Sequence, residues 1–244
     1  MRRALLAAAC VAAVASSAAL AASRAPRAPR LTVYAAASLT DVFPKIDRTQ
    51  RYSFGGSNGL ATQITQGAPA DVFASANTSI PQQLYQQGVV AKPVVFTRNA
   101  LVLIVPRSNP AHIRSVFDLR NPGVKLDVAA PGVPAGDYTR TVLHNLGLGD
   151  VLDHVVSNET DVREVLAKVA LGEADAGFVY ATDARTVRGK VATIAIRQSA
   201  QPTVRYAAAV VTASTHRAAA RRFVARLLGK AAQRKLRAAG FLPR

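Results

Sequence analysis

From Leu31 to the end of the chain, short apolar runs alternate with longer stretches in which apolar residues recur every three or four positions. The first kind of run suits a strand buried on both faces, and the second an amphipathic helix lying on a sheet. Eight strands are predicted: 31–36 (LTVYAA), 51–54 (RYSF), 71–75 (DVFAS), 100–106 (ALVLIVP), 125–129 (KLDVA), 176–180 (AGFVY), 191–196 (VATIAI) and 206–211 (YAAAVV). Between most of them lies one helix-sized segment, which is the alternation of an α/β fold. Some helix ends are marked. Asp161 stands as an N-cap before VREVLAKVAL with Gly172 after it, and GDYTRTVLHNL stops at Gly147. A last helical stretch over about 215–239 is expected to bury Phe223, Leu227, Leu228, Ala231 and Leu236, with Gly229 as a possible break.

The runs 100–106 and 206–211 are the longest and most hydrophobic. If they pair as neighbouring strands crossing between two lobes, residues 100–206 form one lobe and residues 31–99 with 207–244 the other. A cleft between the lobes follows. No internal repeat is evident.

The turns that lead from strands into helices share a composition. AAASLTD carries Ser38, FGGSNGLATQI carries Ser57, APGVPAGDYTR carries Ala135, and NETDVREVL carries Asp161 and Val162; a fifth turn follows Tyr180. A helix start leaves backbone N–H groups unpaired at the positive end of the macrodipole. Several such starts aimed at one cleft make an anion site without a cation, and small residues let the anion approach the backbone. Gly55, Gly56 and Gly59 serve the same approach around Ser57. Ser and Thr before helices are also ordinary N-caps, and that reading stays open for each turn taken alone.

Composition places these turns in a setting. Arg2 and Arg3 precede a run of Ala, Leu and Val that ends at Ala19-Leu20-Ala21, the layout of a secretory leader over residues 1–21. Residues 22–30, ASRAPRAPR, read as a basic tether punctuated by proline. The single cysteine, Cys10, falls inside the leader, so the exported chain is expected to have no disulfide and no thiol chemistry. Acylation of Cys10 is the alternative, against which stand Ala7 three residues before it and the short apolar stretch ahead.

The chain carries 31 Lys and Arg against 14 Asp and Glu, a formal net charge of +17. Its densest basic cluster, HRAAARRFVARLLGKAAQRKLR at 216–237, interleaves with an apolar set and reads as a solvated helix face. It lacks the aromatic interleaving of a nucleic-acid surface, and no nucleic-acid partner is expected. Enzyme signatures are weak. Ser38 lacks the G-x-S-x-G elbow, His144 and His154 stand in no base motif, the four histidines have no metal-ligand spacing, and no Gly-Lys-Ser/Thr follows FGGSNG.

LTVYAAASLTDVF, FGGSNGLATQITQGAPADVFASAN, PAGDYT, DVREVLAKVALGEADAGFVYATDA and the closing AAGF, in this order and spacing, resemble the periplasmic molybdate-binding proteins of bacterial ABC transporters from Leu31 to the end. The resemblance implies a two-lobed, type II periplasmic-binding fold, α/β in class, with a ligand cleft between the lobes. It implies capture of molybdate or tungstate and delivery to a membrane permease by a monomer in the periplasm or on the outer face of the cytoplasmic membrane, without a cofactor. Carried over by motif, the ligand-binding residues are Ser38, Ser57, Ala135, Val162 and Tyr180. The three hydroxyl side chains would donate through O–H, the two serines also through N–H, and Ala135 and Val162 through N–H alone. A carrier of sulfate or another tetrahedral oxyanion is the alternative. Between DVFPKID and RYSFGG the chain is about eight residues shorter than that family's pattern, so the helix after Ser38 is expected to have about two turns, with Pro44 near its start.

Overall fold

Ten strands form two five-stranded sheets in a computed structural model that describes residues 29–244; the expected leader, its Cys10 and the tether up to residue 28 lie outside the described residues. The first sheet holds β1 (Thr32–Ala36), β2 (Arg51–Gly55), β3 (Val72–Ser75), β4 (Val94–Asn99) and β10 (Val204–Val210), in the order β2-β1-β3-β10-β4. The second holds β5 (Leu101–Pro106), β6 (Leu126–Ala129), β7 (Val155–Glu159), β8 (Ala176–Tyr180) and β9 (Val191–Ile194), in the order β7-β6-β8-β5-β9. β1 runs parallel to β2 and β3, and β6 parallel to β7 and β8. β10 is antiparallel to β3 and β4, and β5 antiparallel to β8 and β9. Each sheet is thus a parallel trio extended by a strand that has just arrived from the other sheet.

The two most apolar runs do not pair with each other as the sequence suggested. They are β5 and β10, which play the same part in different sheets. The chain leaves the first sheet through Ala100, between β4 and β5, and returns between Ile194 and Val204. Gln201 ties the two crossings together: its Oε1 accepts the Leu101 N–H at 3.1 Å and its Nε2 donates to the Leu101 carbonyl at 2.7 Å. All eight predicted strands are present, and β4 and β7 are additional. Both are sheet edges whose apolar start runs into polar residues, Thr97-Arg98-Asn99 and Ser157-Asn158-Glu159, so neither reads as a buried run.

Helices α2 (Ser57–Thr65), α3 (Ser79–Gln86), α4 (Pro134–Asn145) and α5 (Val162–Leu171) cover the sheets, followed by short α6 (Ala181–Ala184) and the pair α7 (Arg217–Leu228) and α8 (Lys230–Ala239). Gly229, at φ −73° and ψ 152°, does divide the last two. The restart shifts the buried face, so that Ala232 rather than Ala231 is buried beside Leu236, while Arg221, Arg222, Arg234 and Arg237 stay exposed. Ser38 departs further from expectation. It lies in a 3-10 turn, Ala37–Leu39, and the one α-helix between β1 and β2 is the single turn α1 at Phe43–Ile46. Pro44 has no N–H, which breaks a ladder running from Ser38 through it, and Asp47, extended at φ −149° and ψ 100°, ends α1. Packing holds α1 instead: Phe43 is fully buried, with ring centroids of Tyr52, Phe96 and Phe223 at 6.1, 5.9 and 6.1 Å.

One buried charge stands out in the second sheet. Asp127 in β6 is inaccessible to solvent, and neither carboxyl oxygen has a hydrogen-bond partner among the described residues. Burial, with the Glu159 charge nearby, pushes its pKa up to about 7. The folded chain therefore holds a proton that the unfolded chain releases above about pH 4, and stability falls as pH rises from about 4 to 7. Asp127→Asn should flatten that fall and raise stability at pH 8 by roughly 1–3 kcal/mol, as read from urea unfolding at pH 5 and pH 8.

Candidate functional site

The carboxyl ends of β1 and β2 in the first sheet and of β6, β7 and β8 in the second meet around one small cavity of about 10 Å³. Open α/β sheets place ligands at such strand ends, and a cavity of this size suits a group of a few atoms rather than a drug-sized molecule. Ser38, Ser57, Ala135, Val162 and Tyr180 all line the cavity, as do Gly55 and Gly56; Gly59 does not. The five are between 1% and 4% exposed.

Each element aims donors inward for a local reason. In α2 the first backbone bond is Leu60 N–H to the Gly56 carbonyl, which leaves the N–H groups of Ser57, Asn58 and Gly59 without helical acceptors. The Ser57 hydroxyl accepts the Ala76 N–H at 3.1 Å, so its own proton is free. In α4, Pro134 occupies the first turn and the first bond is Asp137 N–H to the Val133 carbonyl, leaving Ala135 and Gly136 as donors. In α5 the Asp161 carboxylate accepts the N–H groups of Arg163 and Glu164, at 2.7 and 3.3 Å, which leaves Val162 N–H for the cavity. Tyr180 ends β8, and its buried hydroxyl has no hydrogen-bond partner among the described residues. Burial holds its pKa far above the ordinary phenol value, so it remains a donor.

No Lys or Arg lines this cavity among the described residues. The arginine that follows Val162 is already engaged: Arg163 Nε meets Asp183 at 2.7 Å, and its Nη2 meets Asp41, three residues after Ser38. Asp183 is fully buried, and burial lifts its pKa to about 6 against the pull of Arg163. The Arg163–Asp41 pair joins the two halves beside the cavity. They also touch through backbone, since a Cβ on Gly56 would lie 2.2 Å from the Thr160 carbonyl oxygen.

The nucleophile reading of Ser38 finds no base: the side-chain partner of its hydroxyl is Tyr206, at 2.8 Å. A second serine, Ser214, lies near His216, but both contact the same Asp71 oxygen, at 2.5 and 3.3 Å, and make no serine–histidine pair. Among the described residues no group of His, Cys, Asp and Glu could hold a metal ion, and no helix is long and apolar enough to cross a membrane. Sequence reading singled out neither Ala76, which supports Ser57, nor Asn99 and Tyr206, which stand behind Ser38. Ala76 falls inside FGGSNGLATQITQGAPADVFASAN without a role of its own there, and Asn99 and Tyr206 stand in none of the motifs.

Fold and cavity together describe a two-lobed binding protein, and residues 31–242 match the family of bacterial extracellular solute-binding proteins, to which the chain belongs. Its relatives include the molybdate-binding protein ModA of Mycobacterium tuberculosis H37Rv, 39% identical over 223 residues that span 86% of this chain and 84% of that one. The periplasmic molybdate-binding protein of Azotobacter vinelandii superposes with a TM-score of 0.77 at 24% identity, over 88% of this chain and 100% of the other. The sulfate-binding protein SubI of Mycobacterium tuberculosis H37Rv superposes with a TM-score of 0.74 at 21% identity, over 88% and 86% of the two chains. These two structures share the fold.

Because the halves meet at Gly56, Gly56→Ala should keep them from closing. Small-angle scattering should give a larger radius of gyration than for the unaltered protein, with helix content by circular dichroism unchanged.

Proposed function

We propose that this protein captures molybdate, with tungstate as an equivalent ligand, and delivers it to the membrane permease of an ABC transporter. One observation carries the reading: O–H and N–H donors from four turns and the end of β8 line a single small cavity that, among the described residues, no Lys or Arg enters. Ser38 and Ser57 hold the ion through hydroxyl and backbone, Tyr180 through its hydroxyl, and Ala135 and Val162 through backbone N–H alone. The family and the 39% identity to a molybdate-binding relative support the choice of ligand. In this reading the protein works outside the cytoplasmic membrane, as a monomer and without a cofactor.

The physical basis is a hinge cycle. With the lobes apart, the donors are solvated; an ion that bridges them replaces that water and favours the closed form. A wall made of donors suits a fully deprotonated tetrahedral dianion and disfavours hydrogen phosphate, whose proton would be left without an acceptor. Sulfate matches molybdate in charge and geometry, so size separates the two. SubI, with its similar fold and its sulfate, makes sulfate the second reading.

Calorimetric titration with molybdate, tungstate, sulfate and phosphate tests this. Heat with molybdate and tungstate is expected, and heat with sulfate alone overturns the assignment. Ser57→Ala should weaken molybdate by roughly 10- to 100-fold, the worth of one hydrogen bond to a charged group. Val162→Ala, which keeps the N–H, should stay within about threefold.

A further inference from the structure

Six close pairs of acidic and basic side chains occur among the described residues, and five of them stay within one half of the molecule. The exception is Arg163–Asp41. Arg163 is the second residue of α5, next to Val162 at the cavity wall, and Asp41 lies just past the 3-10 turn that carries Ser38. One ion pair therefore joins the two halves where each of them presents a donor to the cavity.

The guanidinium is suited to this double engagement. Its Nε donates to Asp183 at 2.7 Å within its own half, while Nη2 reaches across to Asp41. Asp183 is fully buried and fixes the guanidinium from behind, so the contact across the lobes orders few further rotamers. A lysine, with a single point of charge, could not hold both carboxylates in this fork. Side-chain exposures of 24% for Arg163 and 47% for Asp41 place the pair between a surface salt bridge, worth little, and a buried one.

The surroundings add to its weight. A cavity of about 400 Å³ opens beside the pair, and it is lined by Lys45, Arg163, Arg185 and Arg188 with Asp41 as the one carboxylate. Lys45, Arg185 and Arg188 are exposed, and none of the three is in a salt bridge among the described residues. Arg185 also leans on the first half: a Cβ on Gly240, at the end of α8, would lie 2.6 Å from its Nη1. With the halves together, Asp41 offsets cations gathered from both of them.

We infer that Arg163 and Asp41 are positioning residues that latch the closed form and set how long the bound ion stays. The inference rests on the oxyanion reading and its hinge cycle. Neither residue lines the ligand cavity, so the latch takes no part in recognising the ion. It forms only once the halves have met, so it holds back opening and leaves entry unaffected. In the open, ligand-free form the pair is parted and contributes nothing to stability.

The test follows release of radiolabelled molybdate into an excess of unlabelled ion from the unaltered protein, Asp41→Asn and Arg163→Lys. Asp41→Asn should release the ion roughly 3- to 10-fold faster, with the association rate within about twofold. Raising sodium chloride from about 20 mM to about 500 mM should bring the unaltered protein toward the Asp41→Asn rate and leave the variant little changed. The unfolding temperature without ligand should not move, whereas a merely structural role for Asp41 would lower it. Arg163→Lys keeps a cation for Asp183 and should also release faster; combined with Asp41→Asn it should add nothing. It carries the test if Asp41→Asn does not fold. An unchanged release rate, or a gap between unaltered protein and variant that high salt leaves intact, overturns the inference while molybdate binding stands. If the unaltered protein binds sulfate and not molybdate, the molybdate assignment falls and labelled sulfate decides the latch in the same experiment. Binding of neither ion overturns both.

Discussion

Between Gly56 and the carbonyl of Thr160 there is no space for a methyl group, and the chemistry of the cleft depends on that approach. Uncharged donors discriminate between anions only where water cannot satisfy them, because in contact with solvent each N–H or O–H already has a partner. Gly56 is the N-cap of α2, and Thr160 immediately precedes Asp161, the N-cap of α5. Their contact therefore draws together two helix starts, one from each sheet, with Ser57 and Val162 as first residues. Gly136 does similar work within the second sheet. A Cβ there would lie 2.2 and 2.3 Å from the carbonyl oxygens of Ala130 and Ala129, so the glycine lets α4 begin directly against the end of β6.

Excluding cations from the cavity wall has an electrostatic logic. A lysine would attract any anion of suitable size, whereas fixed dipoles reward one arrangement of acceptors. Arg163 follows Val162 directly, yet its guanidinium is held by Asp183 and Asp41. The net positive charge of the chain sits elsewhere, much of it on the exposed faces of α7 and α8. There it acts on approaching anions over about one Debye length and contributes to encounter rather than to grip.

What could be read from the sequence was local. Apolar runs marked the buried strands, Asp161 and Gly172 marked both ends of α5, and small residues marked the turns around Ser57 and Ala135. Edge strands β4 and β7 escaped because they are only partly buried and their residues mix polar with apolar. Apolarity also carries no partner identity, which is why β5 and β10 were mistaken for neighbours. The Ser38–Tyr206 and Asn99–Tyr206 hydrogen bonds join residues 168 and 107 positions apart, and the Arg163–Asp41 pair spans 122. Such contacts follow from how the two crossings fold back on each other, and no window of sequence contains them. The turn after Ser38 departs from expectation for a smaller reason: Pro44 breaks any ladder running from Ser38 into α1, and extended Asp47 ends that helix after one turn.

The order of strands also governs how the molecule comes into being. β5 to β9 are consecutive, so the second sheet has all its members once the chain has reached Ile194. The first sheet does not, because β10 lies between β3 and β4 and is made last. Until Val204–Val210 arrives, β3 and β4 present bare edges to one another, and the aromatic ring of Tyr206 is missing from beneath Ser38. Nascent chains halted before that strand therefore contain a finished half joined to an unfinished one, and the unfinished half is the part exposed to proteolysis and to aggregation with other copies.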